Sequence, residues 1–554
     1  MKLSHENPLA YRLLIAGFSL LGVAVFLASM IKFAGRMTFD DAYIFIRYAK
    51  HWLAGYGFCW NIADGPVYGC TSTLFLFLVT LCKAIANPSD TVLLATLSIF
   101  FGMCALIVMI GTSFMLCSNT FAKKTWLPLI VLPVIALGDA FRYHAVTGME
   151  TTLALLCNAL LVTGTILYTR RPRFPALLLC AALGYASYLT RPENGVYMML
   201  VPPLFFLALD RTLKRHAIRY IGLCFAFLLA DALLKKAIFG DIIPLPFFVK
   251  TNGFYRGYAG GDVFHTIKYL LKFLQEAFPF FLALLFLTTR SSLRIILAFL
   301  IPVAIGTGYF FTVTQIMGFA GRFYYPSVPF IVAAAVYACN NYIEKKSGAD
   351  SGAVHFLPLR LVCAALLIFV TYSITFKRAT VSAWDAITAH TNTRFSAQTQ
   401  YSTSSGVKTS YFGGHKVFSD MVAFLRTLPP EVSLAGSEYG YVGAQLPDLK
   451  IIDLAGLNDR AMALQGFSAH RLFAARPDII WMPHTDYTAI HASVLDNPVF
   501  KEQYWYYPDI FILGIAVYKQ SPHAGIILSQ LEKSFCKAYP GLEFSECLGE
   551  RIRK

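Results

Sequence analysis

Met37-Thr38-Phe39-Asp40-Asp41-Ala42-Tyr43-Ile44 sets two adjacent carboxylates just beyond an uncharged stretch of 19 residues, Leu13 to Ile31. A bilayer core of about 30 Å needs about 20 apolar helical residues, so Leu13 to Ile31 reads as a crossing helix. Lys32 and Arg36 close it. Carboxylates kept at a membrane surface beside apolar sequence are costly, so the pair reads first as a functional site. The bland alternative is a solvated pair that ends a helix.

Working outward, composition supports a membrane protein. The chain has 554 residues, 56% hydrophobic and 14% charged, against about 25% charged in soluble domains. The net charge of +16 raises the question of nucleic acid. However, Lys and Arg cluster between apolar runs, as in Arg170-Arg171-Arg173, Arg211-Lys214-Arg215 and Lys345-Lys346. That is the pattern of cytoplasmic loops, and no basic-aromatic module accompanies it, so no nucleic-acid partner is expected.

Expected spans are 13–31, 91–117, 125–139, 151–169, 174–190, 195–209, 217–235, 276–289, 294–312, 325–343 and 358–376. With Lys2 and Arg12 inside, the basic connections all face the cytoplasm, as the positive-inside rule requires. This holds only if Thr71 to Ala86 does not cross. At 16 residues it is marginal for a crossing and is read as a helix lying on or dipping into the outer face. The first span is expected to be an uncleaved anchor. The expected architecture is a polytopic α-helical membrane protein of about 11 transmembrane helices. Residues 1–376 form the membrane domain, with an outer-face juxtamembrane loop at 32–90, and 377–554 form an extracytoplasmic α/β domain. In that domain, helical patterns near 415–427 and 489–495 interleave with β-rich runs at Ile479–Met482 and Phe511–Tyr518.

Most of the twelve cysteines lie inside spans. Cys59 and Cys70, and Cys536 and Cys547, form two pairs of equal short separation on the expected outer side. Two disulfides in an oxidising compartment fit them, and so do four free thiols.

This topology gathers polar residues at one surface. Asp40, Asp41, Arg47 and Asn61 come from the first outer loop, and Arg142, His144 and Glu150 from the second. Arg191 and Glu193 come from the third, Lys250 from the fourth and Arg322 from the fifth. Arg and Lys grip phosphate by charge-assisted hydrogen bonds, and a carboxylate can take a proton from an attacking hydroxyl. The mixture suits a lipid-linked anionic substrate. Arg191 and Arg322 could instead snorkel, and Glu150 could simply complement a helix N-terminus. Asp453 could reach the membrane site or serve a turn around Gly456 and Asn458. Tyr504-Trp505-Tyr506-Tyr507 could stack on sugars or fill a core. No P-loop, dinucleotide fingerprint, zinc pattern or nucleophile elbow is present.

Several segments resemble the GT-C superfamily of polyprenyl-phosphate-sugar glycosyltransferases, and more closely the terminal arabinofuranosyltransferases of the actinobacterial cell wall and their bacterial relatives. The likeness is carried by Asp40–Ala49, Gly55–Phe58, Trp60-Asn61 and Gly69-Cys70-Thr71-Ser72. It continues in Thr147–Thr151, Thr190–Glu193, Gly321-Arg322-Phe323 and Ile452–Asp459. Cys70 stands where relatives have an aromatic, and Asn194 where they often have Gly. The resemblance implies inverting transfer of a sugar, arabinofuranose first, from a polyprenyl-phosphate donor to a glycan, glycolipid or glycoprotein acceptor. Mannose and 4-amino-arabinose are rival donor sugars.

The resemblance also implies roles. Asp41 or Asp40 would be the base, with Asp41 favoured, and Glu150 a second acid. Arg322, Arg191 and Lys250, with Arg47 and His144, would hold the donor phosphate. Glu193, Asp453 and Tyr43 would meet acceptor or sugar. No cofactor is required. A divalent cation (Mg, Mn or Ca) on Asp40 and Glu150 is the one addition the mechanism permits. The expected location is the cytoplasmic (inner) membrane, with the site on the periplasmic face. A transporter or flippase of lipid-linked sugar, and a non-catalytic sugar-binding assembly protein, are the readings from other classes.

Overall fold

The computed structural model describes residues 39–117, 131, 134–136, 138–251, 263–315, 318–347, 415–484, 487–508 and 510–538. The expected spans 13–31 and 358–376, and most of 125–139, lie outside the described residues, as does Cys547 and the side chain of Cys536.

Phe39 leads into α1 (Asp40–Leu53). Its sequence suits a helix with direction: Asp40 and Asp41 occupy the first turn, and Lys50 and His51 the last. Acids near the N–H end and cations near the carbonyl end both oppose the macrodipole favourably. Then follow α2 (Thr73–Ala86), α3 (Asp90–Leu116), α4 (Asp139–His144), α5 (Thr151–Arg170), α6 (Phe174–Thr190) and α7 (Gly195–Leu209). Next come α8 (Lys214–Phe239), α9 (Leu245–Thr251), α10 (Val263–Leu287), α11 (Leu293–Tyr309) and α12 (Val328–Ser347). Among the described residues, four helical stretches are long and apolar enough to cross a membrane: Asp90–Leu116, Thr151–Arg170, Arg211–Phe239 and Thr266–Leu287. The expected spans at 174–190, 195–209, 294–312 and 325–343 fall on α6, α7, α11 and α12. The span expected at 276–289 begins earlier, because α10 starts at Val263.

The stretch read as non-crossing is α2, a helix of 14 residues. At 1.5 Å per residue it covers about 21 Å, short of a bilayer core. Ser72 caps it by accepting from the Phe75 N–H at 3.4 Å.

The C-terminal part comprises α13 (His415–Leu425), β1 (Ser433–Gly436), α14 (Gly440–Gln445), β2 (Lys450–Asp453), α15 (Arg460–Gln465) and α16 (Ala469–Ala474). It continues with β3 (Ile479–Trp481), α17 (Thr488–Leu495), α18 (Pro498–Gln503), β4 (Tyr504–Tyr507), β5 (Ile515–Tyr518) and α19 (Ala524–Ala538). The sheet order is β2-β1-β3-β5-β4. β1 pairs parallel with β2 and β3, while β5 runs antiparallel to β3 and β4. Alternation feeds two cores: Leu434, Ile479 and Val517 face one side, and Ala435, Ile480 and Ala516 the other. The β-rich run expected from Phe511 is shorter, because Phe511 and Ile512 both have positive φ and turn the chain before β5. Tyr504 and Tyr507 of the aromatic run are buried in these cores.

The sheet unit is docked on α1. Asp40 accepts from the backbone N–H of Gly440 at 2.8 Å and of Tyr441 at 2.7 Å. At the other end of α14, Lys50 donates to the Ala444 carbonyl at 2.7 Å and His51 to that of Pro447 at 2.8 Å. Arg47, only 1% exposed, donates to the carbonyls of Trp60 and Leu449, both at 2.7 Å. Its guanidinium also lies 4.5 Å from the Trp60 ring centroid. Asn61 covers the edge strand β2: its amide accepts from the Ile451 N–H at 3.0 Å and donates to the Ile451 carbonyl at 2.9 Å. An uncovered edge would leave these groups unpaired.

Arg47→Met should therefore strand buried carbonyls without a donor. A loss of roughly 2–4 kcal/mol is expected. It should appear as faster proteolytic cleavage within residues 415–538, with the α3–α5 helices still protected; wild-type cleavage rates would contradict the docking role.

Candidate active site

Adjacent carboxylates on a helix point about 100° apart. Asp40 is committed to α14, whereas Asp41 faces an open cavity with about 690 Å³ of empty space, its solvent mouth included. Its polar wall is Asp41, Thr71, Glu150, Lys250 and Arg322, and Ile44, Phe45, Met149 and Phe323 form the apolar wall. Leu457 and Tyr487 reach in from the C-terminal part.

Glu150 is brought opposite Asp41 by one backbone bond, Phe39 N–H to the Thr147 carbonyl at 3.1 Å. It precedes α5 but makes no cap with its side chain. Instead its Oε1 accepts from Arg191 at 2.9 Å and Arg322 at 3.3 Å. Burial alone would raise its carboxyl, but Arg322 and Arg191 overrule this and hold it below the usual range. Oε2 is buried with no hydrogen-bond partner. Asp41, 32% exposed, lies 4.0 Å from Arg322. Burial pushes its carboxyl above the ordinary 3.8, opposed by Arg322 and Lys250 and reinforced by Glu150.

Arg322 owes its aim to a turn. Ala320 and Gly321 both adopt left-handed φ, 53° and 69°. A Cβ on Gly321 would sit 2.9 Å from the Phe273 side chain, so Gly is required twice over. His144 braces this turn by donating Nε2–H to the Ala320 carbonyl at 3.2 Å. Burial pushes the His144 imidazole down to about 3. It is therefore neutral, and the expected phosphate contact is replaced by support of the Arg322 turn.

Lys250 arrives on α9, tied at one end by Leu245 N–H to the Tyr68 carbonyl at 2.8 Å and at the other by Thr314 N–H to the Lys250 carbonyl at 3.2 Å. Burial, with Arg322 and Arg191 nearby, lowers its ammonium to about 8. Lys250, Arg191 and Arg322 all approach the Phe323 ring, at 5.4, 5.1 and 5.8 Å from its centroid.

Other expected residues are placed elsewhere. Arg47 is consumed by docking, because carbonyls surround it. Tyr43 is buried, with its hydroxyl 2.8 Å from Thr91 Oγ1 and its ring edge-on to Tyr441. Arg191 stands behind Glu150 and binds Glu193 through Nε at 2.7 Å, so both act through Glu150 rather than on the cavity itself. Asp453 serves its turn, accepting from the N–H of Gly456 at 2.8 Å and of Asn458 at 2.6 Å. That turn presents Leu457 to the cavity and lets Tyr48 donate to Asn458 at 2.9 Å. Cys59 and Cys70 are free buried thiols. Cys59 faces His51 while Cys70 lines the cavity, so of the two alternatives open to this pair the structure has free thiols.

The donor set does not fit a divalent ion. Both Asp40 oxygens are taken by N–H groups, and Glu150 faces two guanidinium groups. Among the described residues no three His, Cys, Asp or Glu side chains gather as a metal would need. What the cavity offers is two carboxylates, Asp41 and Glu150, beside two cations, Lys250 and Arg322. Leu457, Tyr487 and Phe323 were not read as site residues. Phe323 carried a signal in its adjacency to Arg322, whereas Tyr487 carried none.

No family model matches the chain, and no curated protein matches it by sequence. Solved structures do. ArnT from Cupriavidus metallidurans bound to undecaprenyl phosphate superposes with a TM-score of 0.52 at 11% identity, over 92% of this chain and 99% of that one. The apo form of the same protein gives 0.51 at 12% identity, over 93% and 99%. The Archaeoglobus fulgidus oligosaccharyltransferase in its apo form gives 0.52 at 11% identity, over 92% of this chain and 74% of that one. At 11–12% identity, the likeness establishes a shared fold.

The Glu150–Arg191 pair can be checked without any assay of activity. In a double-mutant cycle of Arg191→Met and Glu150→Gln, thermal unfolding in detergent should show a coupling of about 1–3 kcal/mol. Additive effects would mean the ion pair is not formed.

Proposed function

We propose that this chain is an inverting glycosyltransferase that moves a sugar, arabinofuranose first, from a polyprenyl phosphate to an extracytoplasmic glycan or glycoconjugate. Residues 1–376 are the membrane transferase unit, with eleven crossings, and 377–554 the outer α/β domain. The observation that carries the reading is Asp41 facing Lys250 and Arg322 across one cavity. The capture of undecaprenyl phosphate by the structural neighbour ArnT supports a lipid phosphate as the anion.

Asp41 takes the proton of the acceptor hydroxyl. The hydroxyl oxygen then attacks the anomeric carbon from the face opposite the phosphate. The carbon–oxygen bond to phosphate breaks, and polyprenyl phosphate leaves with the electron pair. A leaving phosphate needs little protonation when cations already face it in a low dielectric, and Lys250 and Arg322 meet that need. Glu150 holds Arg322 in place, Arg191 holds Glu150, Glu193 holds Arg191, and the Phe323 ring lies beside the cations. The raised Asp41 carboxyl is a better base than a free one, because a higher pKa gives greater proton affinity. Against a flippase, the charges collect at helix ends around one cavity, whereas carriers hold theirs at the midplane between repeats.

Purified protein should release polyprenyl phosphate from a polyprenyl-phosphoryl arabinofuranose donor when glycan acceptors are present. Asp41→Asn should lower the rate about 10²–10⁴-fold with folding retained. Release only from mannose or 4-amino-arabinose donors would keep the mechanism and change the sugar. No release from any donor would overturn the reading.

The rate should rise with pH as Asp41 ionises, with a limb above the ordinary 3.8, and fall above about 8 as Lys250 loses its charge. Lys250→Arg should remove the alkaline fall. An unchanged alkaline limb in that variant would exclude Lys250 as its origin.

A further inference from the structure

Neighbouring residues of one acid pair do two different things here. Asp41 faces the cavity, and Asp40 holds Gly440 and Tyr441 of the sheet unit through both carboxylate oxygens. The packing at this contact is as tight as backbone allows: a Cβ on Gly440 would lie 2.1 Å from the Asp40 carbonyl oxygen. The same docked unit brings Leu457 and Tyr487 into the cavity wall. Its Asn458 lies against the cavity-lining Gly69, where a Cβ would meet Asn458 Oδ1 at 2.2 Å. One contact therefore lies between the placement of Asp41 and the closing of its cavity.

We propose that Asp40 is a positioning residue, not a second base: by binding the Gly440 and Tyr441 N–H groups it docks the sheet unit so that Asp41 is aimed and Leu457 and Tyr487 close the cavity. No other described group bonds to both of those N–H groups. One removable carboxylate in the first turn of α1 thus acts on Asp41 one residue away and on the cavity wall more than four hundred residues on. The aiming of Asp41 rests on its role as base; the docking and closure do not.

The test uses the full-length protein in detergent with Asp40→Ala and, separately, Gly440→Ala, which disturbs the contact without altering any side chain of α1. Three readouts are taken. Hydrogen exchange of peptides covering 437–446 should quicken about 10–100-fold in both variants, the loss expected for two hydrogen bonds, while Thr151–Arg170 stays protected as the folding control. Labelling of Cys70 by a methanethiosulfonate reagent, followed by peptide mass spectrometry, should speed up as the cavity opens. With whichever polyprenyl-phosphoryl arabinofuranose, mannose or 4-amino-arabinose donor the wild type turns over, kcat should fall at least about tenfold while KM changes less than about threefold, and the acid limb set by Asp41 should remain.

Unchanged exchange in Asp40→Ala would overturn the docking role. Faster exchange with unchanged Cys70 labelling and unchanged rate would overturn the link to the cavity. Loss of turnover to the Asp41→Asn level with exchange still slow would make Asp40 a catalytic residue instead. If the wild type turns over no donor, the glycosyltransferase reading fails, and exchange and Cys70 labelling still decide docking and closure.

Discussion

The contact between α1 and α14 is the constraint on which the rest of the site depends. α1 meets the sheet unit with an acid at one end and three cations or imidazoles at the other. Asp40 takes N–H groups, and Arg47, Lys50 and His51 take carbonyls. Every one of these backbone groups would be costly to bury unpaired. The polar character of α1 is therefore used almost completely in joining two parts of the chain, leaving Asp41 as the acid turned toward open space. Lys50 extends the joint to the membrane helices, since Asp90 binds both Lys50 and Lys83 at 2.8 Å.

The cavity obeys a different logic. Burying one charge there would be prohibitive, and burying alternating charges is tolerable only with close geometry. Glu150 sits between Arg191 and Arg322, and Glu193 takes the far side of Arg191. This chain of pairs leaves Lys250 without an ion pair among the described residues, beside a carboxylate raised by burial. An anionic substrate group would complete the set. The strained Ala320-Gly321 turn and the neutral His144 beneath it are the structural cost of aiming Arg322 at that point.

Much of this was readable. Length and apolarity placed helices over 91–117, 151–169, 174–190 and 217–235, because a membrane helix needs only local composition. The short stretch before Ala86, read as non-crossing, forms a helix of 14 residues. Asp41, Glu150, Lys250 and Arg322 were all singled out, since acids and bases amid apolar sequence are conspicuous. Arg47, Tyr43, His144 and Asp453 were singled out for the same reason and do something else. Arg47 and Asp453 carry the same guanidinium and carboxylate groups as Arg322 and Asp41; only their neighbours differ. Arg47 meets carbonyls, and Asp453 meets N–H groups of its own turn. The cysteine spacing left open a bond that the fold does not make, because Cys59 and Cys70 face different surroundings.

By itself the sequence determined the class of the chain, the run of its helices, the α/β character of its C-terminal part and the supply of charged groups at helix ends. These follow from composition and from periods of two and 3.6 residues, which are local. Tertiary structure alone decided which acid of the pair faces the cavity, which cations line it, and that Leu457 and Tyr487 close it from more than four hundred residues away. Those outcomes depend on which backbone groups and charges meet across the fold, and a polar side chain takes its role from the partner it is buried against.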